Sequence, residues 1–165
     1  MNLRDRARPR PGDILVYKVV PQSSFKDKLI DWWEKITFQG FEGYIHVAML
    51  DVTLENKFEA TWPKYRHVPI NWNDLGLELW RIKNFTADQR ARMLTEAASY
   101  VGDWYGLGTG LLSVIKSKRL QVCTQYVVNC ALAVQIDLED GLQEEDDFIL
   151  APDDLVRSTY LDRIG

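Results

Sequence analysis

The spacing of apolar positions divides the chain into strand-like and helix-like stretches. After the turn signal Pro11-Gly12-Asp13, the run Ile14-Leu15-Val16-Tyr17-Lys18-Val19-Val20 has the β-rich character of a strand and closes at Pro21. Phe25, Leu29, Trp32, Trp33 and Ile36 recur at helical spacing and predict a helix over Phe25–Ile36, with Ser23 or Ser24 as its cap. Gly40 and Gly43 interrupt the chain before a second strand, Tyr44 to about Val52. Lys57–Trp62 returns against it as a hairpin, and Leu77–Ile82 reads as a fourth strand. Thr86 starts a helix over Ala87–Val101 that Gly102 ends. The apolar segment around Gly106, Gly108 and Gly110 and the basic stretch Lys116-Ser117-Lys118-Arg119 precede a compact helix from about Cys123 to Gln135. Glu144–Asp147 reads as a solvated loop and Pro152-Asp153-Asp154-Leu155 as the start of a short helix. With no internal repeat and no Pro-, Gly- or Ser-rich linker, residues 11–165 are expected to form one α+β domain. Residues 1–10, with Arg4, Arg6, Arg8 and Arg10, read as a flexible basic N-terminus.

Composition narrows the function classes. The 165 residues are 46% hydrophobic and 27% charged, enough apolar matter for a real core. A net charge of -4 gives no global pull toward nucleic acid or an anionic membrane. No apolar run approaches the ~20 residues that a spanning helix needs, and the first thirty residues lack a signal peptide, so a cytoplasmic protein is expected. The two cysteines stand seven apart on one predicted helix, where an axial offset of ~10 Å forbids a disulfide. Two histidines, without HExxH or paired cysteines, argue against a zinc site, and no metal is expected. Gly106-Leu107-Gly108-Thr109-Gly110 lacks the Lys-Ser/Thr of a phosphate loop, so no cofactor is expected either.

Cys123 is the residue with most chemical promise. It falls at the predicted helix N-terminus, where unsatisfied amides and the macrodipole favour a thiolate and where the same amides can hold a tetrahedral oxyanion. A buried structural cysteine is the competing reading, and Cys130, inside the helix, belongs to it. Strand alternation places Tyr44, His46 and Ala48 on one face, and a histidine on so apolar a strand needs a polar partner or a purpose. Glu59 on the returning strand is the candidate partner. A hairpin tip on Val52–Thr53 puts it opposite His46; a tip on Leu54–Glu55 leaves the two on one face but ~13 Å apart. An ordinary exposed carboxylate is the competing view of Glu59. His67, before Val68-Pro69, reads as part of an extended exit from the hairpin.

Gly12-Asp13-Ile14-Leu15-Val16, Tyr44-Ile45-His46-Val47-Ala48, Phe58-Glu59-Ala60 and Val122-Cys123-Thr124, in that order, resemble the circularly permuted branch of the NlpC-type papain-fold cysteine hydrolases. The pattern is that of YiiX/YaeF-like proteins and, more distantly, lecithin:retinol acyltransferase-type enzymes. Trp80-Arg81, Tyr105-Gly106 and Pro152-Asp153-Asp154-Leu155 extend it over most of the chain. The resemblance implies a permuted papain-like fold, a small antiparallel sheet packed against helices. It makes Cys123 the nucleophile, His46 the general base and Glu59 the residue that orients the imidazole. Thr124 and Gln125 stand where relatives often carry serine and an acidic residue; these two and Tyr44 become candidate substrate or oxyanion contacts.

The implied activity is a thiol hydrolase, an amidase or endopeptidase working through a thioester acyl-enzyme on an amide or ester, with peptidoglycan peptides as one substrate class. Lipid acyl transfer or hydrolysis is another implied activity. A catalytically idle descendant, serving as a structural or adaptor component of a virion or other assembly, is the reading from a different class. A peptidoglycan substrate would place the protein in a virion or have it released by lysis.

Overall fold

The computed structural model describes residues 3–20, 43–61, 64–103, 121–138 and 152–165. The expected helix over Phe25–Ile36, the glycine segment around Gly108, the basic stretch near Lys118 and the acidic run Glu144–Asp147 lie outside these residues.

Among the described residues six strands form one open antiparallel sheet: β1 (Ile14–Lys18), β2 (Tyr44–Leu50), β3 (Asn56–Thr61), β4 (Lys64–Pro69), β5 (Leu77–Ile82) and β6 (Leu161–Arg163), in the order β4-β3-β2-β1-β5-β6. Helices α1 (Leu3–Ala7), α2 (Ala87–Ser99), α3 (Gln121–Leu132) and α4 (Pro152–Arg157) complete an α+β architecture. β1 reads as an unbroken apolar run because both of its faces are covered. Ile14 and Val16 join Val47 and Met49 in a layer closed by Met93 and Ala97 of α2, Val127, Val128 and Ala131 of α3, and Leu155 of α4. Leu15, with Ala48, Leu50 and Leu79, packs on the opposite side with Trp72 and with Leu3 and Ala7 of α1.

That second layer corrects the expectation for the N-terminus. Leu3 and Ala7, one helical turn apart, are buried, so Leu3–Ala7 is a docked helix rather than a loose arm. Arg4 reaches Glu55 at 2.7 Å, and the Arg8 carbonyl accepts from Arg81. β4 was hidden in the sequence because it is an edge strand, with Arg66, His67 and Pro69 exposed and little alternation of apolar residues. It includes His67, which the sequence placed in an exit segment.

α2 begins as expected, with a Thr86–Gln89 capping box, and stops at Ser99, just before Gly102 turns the chain at φ +95°. Tyr126 donates its buried hydroxyl to the Ala97 carbonyl at 2.8 Å and fixes α3 against α2. Both cysteines lie on α3, buried and unbridged. Among the described residues no helix is long and apolar enough to cross a membrane.

Candidate active site

The site begins at the β2–β3 turn. Asp51 Oδ1 accepts from the Thr53 amide at 2.9 Å and the Thr53 hydroxyl at 2.7 Å, and Leu54 takes the left-handed conformation at φ +60°. The Asp51 amide bonds the Asn56 carbonyl, and His67 Nε2 lies 2.9 Å from Asp51 Oδ2, tying β4 to the same turn. Burial alone would raise the Asp51 pKa, but its bonds to Thr53 and His67 hold it below the usual carboxylate range. This turn is centred on Thr53–Leu54, between the two registers weighed from the sequence, and sets Glu59 opposite Ala48. Glu59 and His46 are then diagonal neighbours on one face, within reach of a long side chain, and Glu59 Oε2 stands 3.1 Å from His46 Nε2.

The sheet opens where the cysteine enters. Leu50 exchanges backbone bonds with Gly12 and Asp13 on its β1 side, so Val47, an odd number of residues away, points its N–H toward β3. The β2–β3 ladder ends at Ala48 and Glu59. The Val47 N–H bonds Cys123 instead, and Cys123 also engages the His46 ring. With Nε2 committed to Glu59, Nδ1 is the ring nitrogen left for the sulfur. Cys123 is the third residue of α3 and so lies in its first turn, where backbone amides lack partners within the helix.

Burial alone would raise the Cys123 thiol; the bond to His46, the charge of that ring, the Val47 N–H and the Thr124 hydroxyl together bring it below the usual range. Burial would also discharge His46, yet its bonds to Cys123 and Glu59 push it up to about 9, against an opposing effect from Lys57. For Glu59, burial is outweighed by His46 and Lys57, and the carboxyl falls to about 2. The three groups are close enough to titrate as one coupled system, in which a charged ring favours the anionic forms of both its neighbours. Cys130 is the contrast: burial, helped by Glu96, pushes it up to about 12, so it stays an inert thiol.

The structure thus brings Cys123, His46 and Glu59 together. Thr124 is fully buried beside the sulfur, its Oγ1 4.0 Å from Sγ. Gln125 is exposed and donates to Asn129 one turn further along. Tyr44 departs from the expected face. The register between β1 and β2 slips by one residue at Ile45, so Tyr44 opposes Lys18 while His46 opposes Tyr17. Alternation fails across such a bulge, and Tyr44 joins the layer of Val47 and Met49, its hydroxyl donating to Glu78 at 3.0 Å.

Two neighbours of the site were not singled out in the sequence. Lys57 Nζ lies 2.7 Å from Glu59 Oε2, and Tyr17 sets its ring 5.7 Å from that of His46. The two-residue spacing of Lys57 and Glu59 on one strand was the available signal for the first.

Glu59 makes the site visible in acid unfolding. Its pKa is depressed on folding, so its contribution is complete above the ordinary value of 4.5 and is lost as pH falls from there toward about 2. Glu59→Gln should cost roughly 2–3 kcal/mol at neutral pH and flatten the loss of stability over that acid range, read from urea midpoints at a series of pH values. Parallel wild-type and variant curves would contradict this.

No family model matches the chain, and no curated protein matches it. Among solved structures it is similar to YiiX from Escherichia coli O157:H7, described as a metalloprotein, at 16% identity and a TM-score of 0.58, over 95% of this chain and 97% of that one. At that identity the likeness is one of fold, spread over nearly the whole chain.

Proposed function

We propose that the protein is a thiol hydrolase of permuted papain-like fold, with Cys123 as nucleophile, His46 as acid and base, and Glu59 as the group that orients the ring. The observation that carries this reading is the His46 imidazole held between Glu59 Oε2 and the Cys123 sulfur at the start of a helix. The thiolate attacks the carbonyl carbon of an amide or ester, and the carbonyl electron pair moves to oxygen, where the α3 amides stabilise it. As that intermediate collapses, the imidazolium gives its proton to the departing amine or alcohol, leaving a thioester on Cys123. Neutral His46 then takes a proton from water, hydroxide adds to the thioester, and the acid leaves as the thiolate–imidazolium pair re-forms. Glu59 keeps the ring in the orientation both steps require. The His46 side chain retains 23% exposure, which leaves the imidazole open to a leaving group and to water.

YiiX is described as a metalloprotein, and the residues here do not suit a metal. Among the described residues no group of three or more His, Cys, Asp and Glu side chains is placed to hold one. The oxygen of Glu59 that faces His46 already has the Lys57 ammonium at 2.7 Å, which repels a second cation. No step is therefore routed through a metal.

Acyl-enzyme trapping tests the proposal. Exposure to activated esters and to amide-linked peptides, including peptidoglycan fragments, should add one acyl mass to the peptide holding Cys123, and none in Cys123→Ala. Equal labelling of both proteins, or none of either across the panel, would remove the hydrolase reading.

A further inference from the structure

We infer that Lys57 is a positioning residue of this site, one that pins Glu59 in place and moderates the hold of that carboxylate on the His46 ring. The inference deepens the function proposed above and rests on it, but its geometry is independent of any substrate. Glu59 Oε2 lies 2.7 Å from Lys57 Nζ and 3.1 Å from His46 Nε2, so one oxygen serves two cations. Those nitrogens stand within about 6 Å of each other, and the Lys57 and Glu59 side chains are largely withdrawn from water, so screening is weak. The ammonium also sits 4.4 Å from the centre of the Tyr17 ring, a cation–π contact that fixes it from the β1 side. Among the described residues, the titratable groups facing His46 are thus Tyr17 from β1, Lys57 and Glu59 from β3, and Cys123 from α3.

An imidazolium with Glu59 to itself would grip its proton too firmly for a ring that must both give and take one near neutrality. Lys57 counters this by like-charge repulsion and by drawing on the same oxygen. The direction of its effect on His46, downward, agrees with that geometry. A role limited to anchoring makes the opposite prediction. Losing the anchor would free Glu59, weaken its bond to His46 and lower the ring's proton affinity, as Glu59→Gln should.

The chain has only two histidines, so a ring-resolved NMR titration follows His46 with His67 as internal reference. In Lys57→Met, which keeps the stem over Tyr17, the His46 midpoint should rise by roughly one pKa unit, a tenfold change in proton affinity. Lys57→Gln should do the same and serves if the first variant folds poorly. Lys57→Arg should restore the wild-type midpoint, and Glu59→Gln should lower it. A midpoint unchanged or lowered in the folded Met or Gln variant overturns the inference. The readout is proton binding, so it is separable from the hydrolase reading: acyl-enzyme trapping can fail while the Lys57 shift is measured, and the reverse.

Discussion

Replacing His46 with alanine should slow alkylation of Cys123 by iodoacetamide at least ~100-fold near pH ~6, because a thiol loses about tenfold in thiolate for each unit that pH lies below its pKa. In the wild-type protein the bond to the His46 ring, the charge of that ring and the Val47 N–H all favour the anionic sulfur. Removing the ring removes the largest of those supports and leaves burial, which favours the neutral thiol. Reaction should then become appreciable only in the alkaline range of an ordinary or buried cysteine. The fold should survive, because Glu59 keeps its ion pair with Lys57 and His46 retains contact with water in the parent structure. Mass spectrometry of the Cys123 peptide gives the rate, with Cys130 as an unreactive control in the same sample. Equal rates for wild type and His46→Ala below neutrality would mean that the ring does not activate the sulfur.

Arg81→Met should destabilise the fold by about 3 kcal/mol, the scale expected when one partner of a buried ion pair is removed and a charge is left behind. Asp13 is 2% exposed and accepts Arg81 Nε at 2.8 Å, Arg81 Nη2 at 2.7 Å and the Arg10 amide at 2.7 Å. Two of those three bonds disappear in the variant, and the carboxylate cannot turn to water. Asp13 directly precedes β1, the strand that joins β2 to β5 and carries Tyr17 opposite His46, so the cost falls on the frame of the site. The urea midpoint should fall with the slope unchanged. Adding Asp13→Asn should recover part of the loss, since an amide is cheaper to bury than an unpaired carboxylate. A loss below about 1 kcal/mol would show that the pair is as weak as one on the surface.

This pair also shows how much could be read from the residues. Gly12-Asp13 and Trp80-Arg81 stood out as separate marks of a resemblance, and the fold joins them as one buried contact that no local pattern specifies. Cys123 and His46 were legible because each is a chemical anomaly, a thiol at a helix start and an imidazole on an apolar strand. Their meeting was implied only by the resemblance, since from the residues alone it depends on where the β2–β3 ladder ends. Glu59 was assigned to the correct face by parity, while its register waited on Asp51, Thr53 and the left-handed Leu54. Tyr44 was misplaced because alternation carries no warning of a bulge, and nothing in Tyr44-Ile45-His46 marks one. Leu3 and Ala7 were passed over for a simpler reason: two apolar positions among arginines give too short a pattern to outweigh the polar composition around them.

On the function proposed above, Cys123 and His46 form a thiolate–imidazolium pair at neutral pH. Its most direct measurement is the thiolate ultraviolet absorbance of wild type minus that of Cys123→Ser, followed through a pH titration. Cys130, pushed up to about 12, stays silent below strongly alkaline pH, so the difference reports one sulfur. Thiolate absorbance should already be present well below neutrality and should be lost there in His46→Ala. A single step in the ordinary thiol range, identical in both proteins, would contradict it.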